Sequence, residues 1–372
     1  MNNDTSHTPP SGGRGARVLV GIIGGAGYTG GELLRILVNH PSVTIAFVHS
    51  NSNAGNLISD VHTDLLGDTN LRFTDILDFK QLLKVSPKGG DLERAVLFLC
   101  VGHGDAKKFL NANAIDERIK IIDLSQDFRL AESSMLIAES LQTHNPQPTT
   151  RNFIYGLPEL NREAIKFANN IANPGCFATC IQAGLLPLAK AGLLKSEVHI
   201  NATTGSTGAG QSLAATSHFT WRNNNLSVYK AFEHQHLNEI GQSLNQLQPN
   251  FIPTLGGEGG LSFIPQRGDF ARGILASMYT ECDLSLEEAT KLYEDYYASH
   301  PFTHISKKNI DLKQVVNTNK CLIHLEKHGN KLFIISIIDN LLKGASGQAV
   351  QNMNLMFGME ESAGLRLKAG AF

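Results

Sequence analysis

Asn173-Pro174-Gly175-Cys176-Phe177-Ala178 brings a single cysteine to the point where a turn runs into an apolar stretch through Leu185 and Leu188. Pro174 and Gly175 mark the turn, and the stretch reads as a buried helix. A thiol at a helix N-terminus feels the positive end of the peptide dipoles and nearby unpaired N–H groups. Both favour thiolate, the form that attacks carbonyl carbon. Taken alone, the segment also fits a structural core cysteine. His234-Gln235-His236, followed by Glu239, adds two imidazoles and a carboxylate within two helical turns. On a helix His236 and Glu239 share a face, so Glu239 could orient His236 or raise its pKa. The bland alternative is solvated polar residues on a helix. Two histidines one residue apart also suggest a metal, but no third and fourth ligands lie near enough to support one. A proton donor and acceptor is the better reading.

Gly24-Gly25-Ala26-Gly27-Tyr28-Thr29-Gly30 follows an apolar run, Arg17 to Ile23, and precedes apolar residues at helical spacing from Glu32 to Asn39. Glycines in such a turn let backbone approach a pyrophosphate, with the helix N-terminus facing the phosphates. Strand before and helix after raise the motif above a chance glycine cluster. Where an acidic residue would hold an NAD ribose, the chain reads His49-Ser50-Asn51-Ser52-Asn53. Absence of the acid favours NADP, while absence of an arginine weakens the grip on a 2′-phosphate. Asp123-Leu124-Ser125-Gln126-Asp127-Phe128-Arg129 ends another strand, where open α/β sheets bind ligands. Arg129 is suited to forked recognition of phosphate or carboxylate, although an arginine beside two aspartates also reads as a surface ion-pair cluster. Gly205-Ser206-Thr207-Gly208-Ala209-Gly210 reads as a flexible turn whose N–H groups could help to bind an anion.

These residues need a scaffold. Val43 to Val48, Ala95 to Val101 and Lys120 to Leu124 read as further buried strands with helical segments between them. The alternation predicts a Rossmann-type, doubly wound parallel sheet. After about Tyr155 the texture changes. Strands near Val198 to Thr203, Gly273 to Thr280, Cys321 to Glu326 and Lys331 to Ile338 surround a helix at Leu286 to Tyr297, predicting a second α+β domain. The helical segment Ala349 to Met359 could return to the first domain. The expected division is a disordered tail over 1–16, a dinucleotide domain over 17–155 and 339–372, and a catalytic domain over 156–338.

The 372 residues are long for one domain and comfortable for two. A hydrophobic content of 42% and a charged content of 18% fit an ordinary globular protein. The formal net charge of −2 gives no basic footprint for nucleic acid and no polybasic membrane patch. No run approaches a membrane span, and the polar N-terminal segment is not a secretory signal. Cys100, Cys176, Cys180, Cys282 and Cys321 are an odd, scattered set, which argues for reduced thiols in the cytoplasm.

Together these segments resemble the N-acetyl-γ-glutamyl-phosphate reductases, the arginine-biosynthetic branch of the aspartate-semialdehyde dehydrogenase superfamily. The resemblance runs from about Val18 to the C-terminal region. It rests on Gly24 to Leu33, Asp123-Leu124-Ser125, Asp127-Phe128-Arg129, Tyr155-Gly156-Leu157-Pro158-Glu159, Asn173 to Cys176, Gly208-Ala209-Gly210, His234 to His236 with Glu239-Ile240, and Asp339 to Ala345. It implies that Cys176 attacks an acyl phosphate, releases phosphate and leaves a thioester. Hydride from NADPH then gives a thiohemiacetal that collapses to the aldehyde. It further implies that His234 or His236 handles the proton. Ser125, Arg129 and Glu239 would contact substrate. Gly24, Gly27, Tyr28, Thr29, Gly30, Ser50 and Asn340 would hold the coenzyme, Asn340 near the nicotinamide. The partners it implies are a small acyl phosphate and further copies of the chain, as homodimer or homotetramer.

The chain departs from the family pattern in two places. After the second strand the family often has Ser-Arg-Ser-x-Ala-Gly-Lys, whereas Asn51 and Asn56 replace both basic residues here. Phe177-Ala178-Thr179 stands where Tyr-Pro-Thr is common. An N-succinyl or carrier-protein-linked glutamyl phosphate would need changes only in the pocket walls. A thiol hydrolase would have no use for the nucleotide turn, and a non-catalytic dinucleotide sensor would make Cys176 dispensable.

Overall fold

Fully buried apolar runs build the centre of the first layer. The computed structural model describes residues 17–83, 94–138, 149–249, 251 and 260–370; the expected tail over 1–16 lies outside them. In chain order the first half contains β1 (Val18–Ile23), α1 (Tyr28–Leu37), β2 (Val43–His49), α2 (Ile58–Val61), β3 (Phe73–Thr74), β4 (Ala95–Leu99), α3 (Asp105–Ala112) and β5 (Lys120–Asp123). It continues through β6 (Met135–Ala138), β7 (Thr149–Tyr155), α4 (Pro158–Lys166) and β8 (Asn170–Ala172). These eight strands form one sheet in the order β3-β2-β1-β4-β5-β8-β7-β6. All neighbours are parallel except β6 and β7. The order reverses at β1, between β2 and β4, and such a switch point opens a crevice beyond the strand C-termini.

The sheet extends past the boundary expected at residue 155. β8 lies between β5 and β7, so the first layer ends only after Ala172. Three residues are too short to carry a periodic signal, and their placement is fixed by non-local pairing.

The second half contains α5 (Cys176–Lys190), β9 (Val198–Thr204), α6 (Phe219–Arg222), β10 (Ser227–Val228), α7 (His236–Leu247), β11 (Leu261–Arg267), β12 (Ile274–Glu281) and α8 (Leu286–Tyr297). After these come β13 (Thr303–Ser306), β14 (Cys321–His328), β15 (Lys331–Ile338) and α9 (Gly347–Met356). Seven strands form a mixed sheet, β10-β11-β9-β12-β15-β14-β13. Alternate residues of β9 and β12 are buried, so one face packs on a core shared with α5, α7 and α8 while the other stays partly open. β11 was not anticipated from sequence, because Pro265 interrupts its alternation. The proline is tolerated beside β10, an edge strand of two residues. Helix α9 returns to pack on the first sheet, where Val350 and Met353 join Val20 and Leu34 in one core.

Two ionic links, one half-buried and one buried, tie the halves together. Arg272, just before β12, binds Asp339 after β15 at 3.0 Å and also Glu32 on α1. Lys343 reaches Glu159 at the start of α4 at 2.8 Å. No helix among the described residues is long and apolar enough to cross a membrane.

Candidate active site

Cys176 is the first residue of α5, with Gly175 in extended conformation as its N-cap. No side chain caps this end. The cysteine is only partly exposed, and burial pushes its thiol up to about 11, against the opposing pull of the Phe177 N–H and the Arg129 charge. The thiolate expected from the helix terminus is therefore not the resting form. Packing removes solvent from the sulfur, and that cost exceeds what the dipole returns.

Glycine is required at 175. A Cβ there would lie 2.4 Å from Nε2 of His236, so the imidazole lies against the bare α-carbon of the residue preceding the cysteine. Helix α7 starts at His236, which leaves His234 in the turn before it rather than on the same helix. His234 instead accepts the His236 backbone N–H through Nδ1 at 3.2 Å. Its ring packs edge-on against Phe177 and Phe263. Burial lowers the pKa of His236 far below the usual imidazole value, helped by the Arg129 charge. Burial and the His236 charge take His234 down to about 3. Both rings are neutral at physiological pH. Nε2 is the nitrogen of His236 set against Gly175, while Nδ1 is buried with no hydrogen-bond partner. The structure thus separates two histidines that sequence left equivalent.

Glu239 links the parts. Its Oε2 accepts the Gly175 backbone N–H at 2.9 Å and the Tyr155 hydroxyl at 3.0 Å. Its Oε1 lies 3.2 Å from Nη1 of Arg129 and 3.8 Å from Nε2 of His236. Arg129 also donates to the carbonyls of Asn173 and Leu124. Both side chains are buried and engaged with protein groups, so in this geometry they position the Cys176 turn. Ser125 is engaged too. It donates to Asp123 and accepts the Asp127 N–H, while Asp127 binds the Gly104 and Lys107 N–H groups at the start of α3.

The glycine turn sits at the β1 switch point. Gly24 has φ of +75°, and a Cβ on it would lie 2.3 Å from the Cys100 carbonyl. At Gly30 a Cβ would strike the Gly25 backbone. Gly27, the N-cap of α1, is different: a Cβ would meet only the Gly24 carbonyl, at 3.9 Å. The first and third positions are closed by protein, and the middle one opens outward, where a dinucleotide pyrophosphate would rest. Tyr28 beside it is exposed, and the Thr29 carbonyl accepts the Ser346 hydroxyl, which ties the turn to the segment before α9. Past β2, Ser50 is buried and accepts a bond from Asn53. A cation that sequence reading passed over, Arg72, donates to the Gly55 carbonyl at the tip of this loop at 2.8 Å.

Asn340 accepts the Gly273 N–H at 2.7 Å and donates to Thr207 at 3.0 Å, locking the Gly205–Gly210 turn to the last strand. The N–H groups of Ser206, Thr207, Gly208 and Gly210 all meet backbone carbonyls. The anion site considered for that turn is therefore closed by its own hydrogen bonds.

A glycine turn at the switch point of the first sheet and a cysteine–histidine pair at the starts of α5 and α7 make up the site, and comparison with known proteins gives its class as semialdehyde dehydrogenase. The model described as "Semialdehyde dehydrogenase, NAD binding domain" matches residues 19–168, and "Semialdehyde dehydrogenase, dimerisation domain" matches residues 176–340. An N-acetyl-gamma-glutamyl-phosphate reductase of Phocaeicola vulgatus is 57% identical over 355 residues, covering 95% of this chain and all of that protein. Its counterpart in Bacteroides fragilis is 58% identical with the same coverage. The chain belongs to the N-acetyl-γ-glutamyl-phosphate reductase family of oxidoreductases. The fold is shared with aspartate semialdehyde dehydrogenase II of Vibrio cholerae, solved in complex with ASA. The TM-score is 0.67 at 15% identity, and the match covers 92% of this chain and 99% of that one.

Proposed function

We propose that the protein reduces N-acetyl-γ-glutamyl phosphate to N-acetylglutamate semialdehyde and phosphate with NADPH, in the cytoplasm, as a step of arginine synthesis. The observation that carries this reading is the neutral His236 ring set against Gly175, beside a protonated Cys176 at a helix N-terminus. His236 takes the thiol proton as sulfur attacks the acyl carbon. The carbon–oxygen bond to phosphate breaks, phosphate departs with that proton, and a thioester remains. A coenzyme held along the Gly24–Gly30 turn would supply hydride to the thioester carbon, leaving a thiohemiacetal anion on Cys176. Collapse breaks the carbon–sulfur bond and releases aldehyde, and sulfur regains a proton from solvent through His236.

NADP is the proposed coenzyme. No acidic side chain follows β2 to take a free 2′-hydroxyl, and Ser50, Ser52 and Arg72 lie on or against the loop there. The partly open face of the second sheet, with Leu213, Phe219, Leu226 and Val228 exposed beside it, supports assembly with further copies of the chain. The test runs the reaction backwards. Purified protein with N-acetylglutamate semialdehyde and NADP should form NADPH continuously only when phosphate or arsenate is present, and otherwise stop at about one NADPH per active site. Without either, mass spectrometry should find an acyl group on Cys176. Phosphate-independent turnover, or strong preference for the N-succinyl aldehyde, would reject the reading as stated.

A further inference from the structure

Several cations around the site are already occupied. Arg129 is held by Asn173, Leu124 and Glu239. Arg272 is held by Glu32 and Asp339, Lys343 by Glu159 and Gln351. Arg222 is bound to the Asn225 and Arg267 carbonyls. A substrate carboxylate is better matched to a cation with fewer protein partners. Arg267 differs from these residues. It is the last residue of β11, in register with Thr204 at the end of β9, where the Gly205 turn leaves the sheet. Its guanidinium stacks over the Tyr229 ring, 4.8 Å from the centroid, and its Nε–H is buried with no acceptor. Tyr229 in turn packs on the core that Cys176 also lines, with its ring edge-on to His234 at 5.8 Å. The charges of Arg267 and Lys230 both act on His234.

A buried donor without an acceptor is costly, and a charged one more so. Stacking on the Tyr229 face and a hydrogen bond to its side chain fix the plane of the fork and still leave the Nε–H without an acceptor. We infer that Arg267, held in plane by Tyr229, is the anchor for the substrate's α-carboxylate. Lys230, which reaches Gln235 at 3.3 Å on the same side, adds positive charge. The assignment rests on the proposed reaction, since it takes its anion from that substrate. Arg267 thus selects acyl phosphates with a carboxylate set back from the reacting carbon, and it positions that carbon over Cys176.

The test compares two aldehydes in the oxidative direction: N-acetylglutamate semialdehyde and N-acetyl-4-aminobutanal, which lacks the carboxylate. The measured quantity is the ratio of their kcat/KM values, with coenzyme binding as the check on folding. In Arg267→Leu the ratio should fall roughly 10–100-fold, mainly through KM of the carboxylated aldehyde, as for loss of a charge-assisted bond. An unchanged ratio overturns the assignment. Should the Leu variant fail to bind coenzyme, Arg267→Lys decides: a ratio several-fold lower supports the forked contact, and an unchanged ratio overturns it. If wild-type protein oxidises neither aldehyde in a phosphate-dependent way, the proposed reaction falls and this assignment with it. Wild-type turnover with an insensitive Arg267 rejects the anchor alone.

Discussion

Glu239 and Gly175, 64 residues apart, are joined by a hydrogen bond of 2.9 Å from the glycine N–H to the carboxylate. The same carboxylate binds Tyr155 and Arg129. One buried side chain therefore sets the turn that delivers Cys176 and the spacing between that turn and His236. Replacing Glu239 by Ala should destabilise the protein by about 3–5 kcal/mol, because the Arg129 charge would stay buried without its partner. Denaturant titration measures this. A loss below about 1 kcal/mol would show that the pair is dispensable.

The two histidines should not respond alike. His236 lies against Gly175 through Nε2, so His236→Asn should lower kcat roughly 10²–10⁴-fold. His234 supports the start of α7 from outside the helix, and His234→Asn should cost activity far less. Equal losses in steady-state kinetics would contradict this division.

Cys176→Ser should abolish reductase activity while coenzyme binding persists. In the free enzyme the thiol, raised to about 11 by burial, should be alkylated by iodoacetamide at a rate that keeps rising beyond pH 9. Peptide mass spectrometry after timed quenching follows the site directly. A rate plateau below pH 7 would mean a resting thiolate and a different division of labour with His236.

Stability should fall as the solution is acidified. His234 is lowered from 6.5 to about 3 by burial, so below pH 6.5 the unfolded chain takes up a proton that the folded chain refuses. The contribution of a neutral His234 is fully present above 6.5 and is lost as pH falls toward 3, by at most about 1.4 kcal/mol per pH unit. His234→Asn should flatten that slope in thermal melts between pH 6 and 4. An identical slope in both proteins would assign the acid sensitivity elsewhere.

Coenzyme choice can be read at the loop after β2. Asn51→Arg should tighten NADP binding and leave NAD nearly unchanged, because the added charge meets only the 2′-phosphate. Arg72→Ala, which removes the cation resting on Gly55, should act in the opposite sense. Fluorescence titration with both coenzymes measures each. Better use of NAD than NADP by the unaltered protein would overturn the preference.

Local chemistry was legible in the chain. Gly24, Gly27 and Gly30 follow a buried strand and open a helix, and Pro174-Gly175 stops one element before Cys176 starts the next. These are short-range rules of dihedral freedom and periodicity, which a sequence carries in itself. Helix α8 has the limits Leu286–Tyr297 that its spacing predicts, since a capping serine and an amphipathic face are both local.

Tertiary structure decided everything that depends on distant segments meeting. Arg129 is held by a carbonyl 44 residues away and a carboxylate 110 residues away, so it braces the Cys176 turn, a role that no local pattern shows. β8 and β11 were hidden because one is three residues long and the other contains a proline; strand pairing, not pattern, secures them. The protonation of Cys176 followed the same logic. The helix dipole that favours thiolate is written in the local sequence, but the desolvation that outweighs it comes from residues packed around the sulfur across the whole chain.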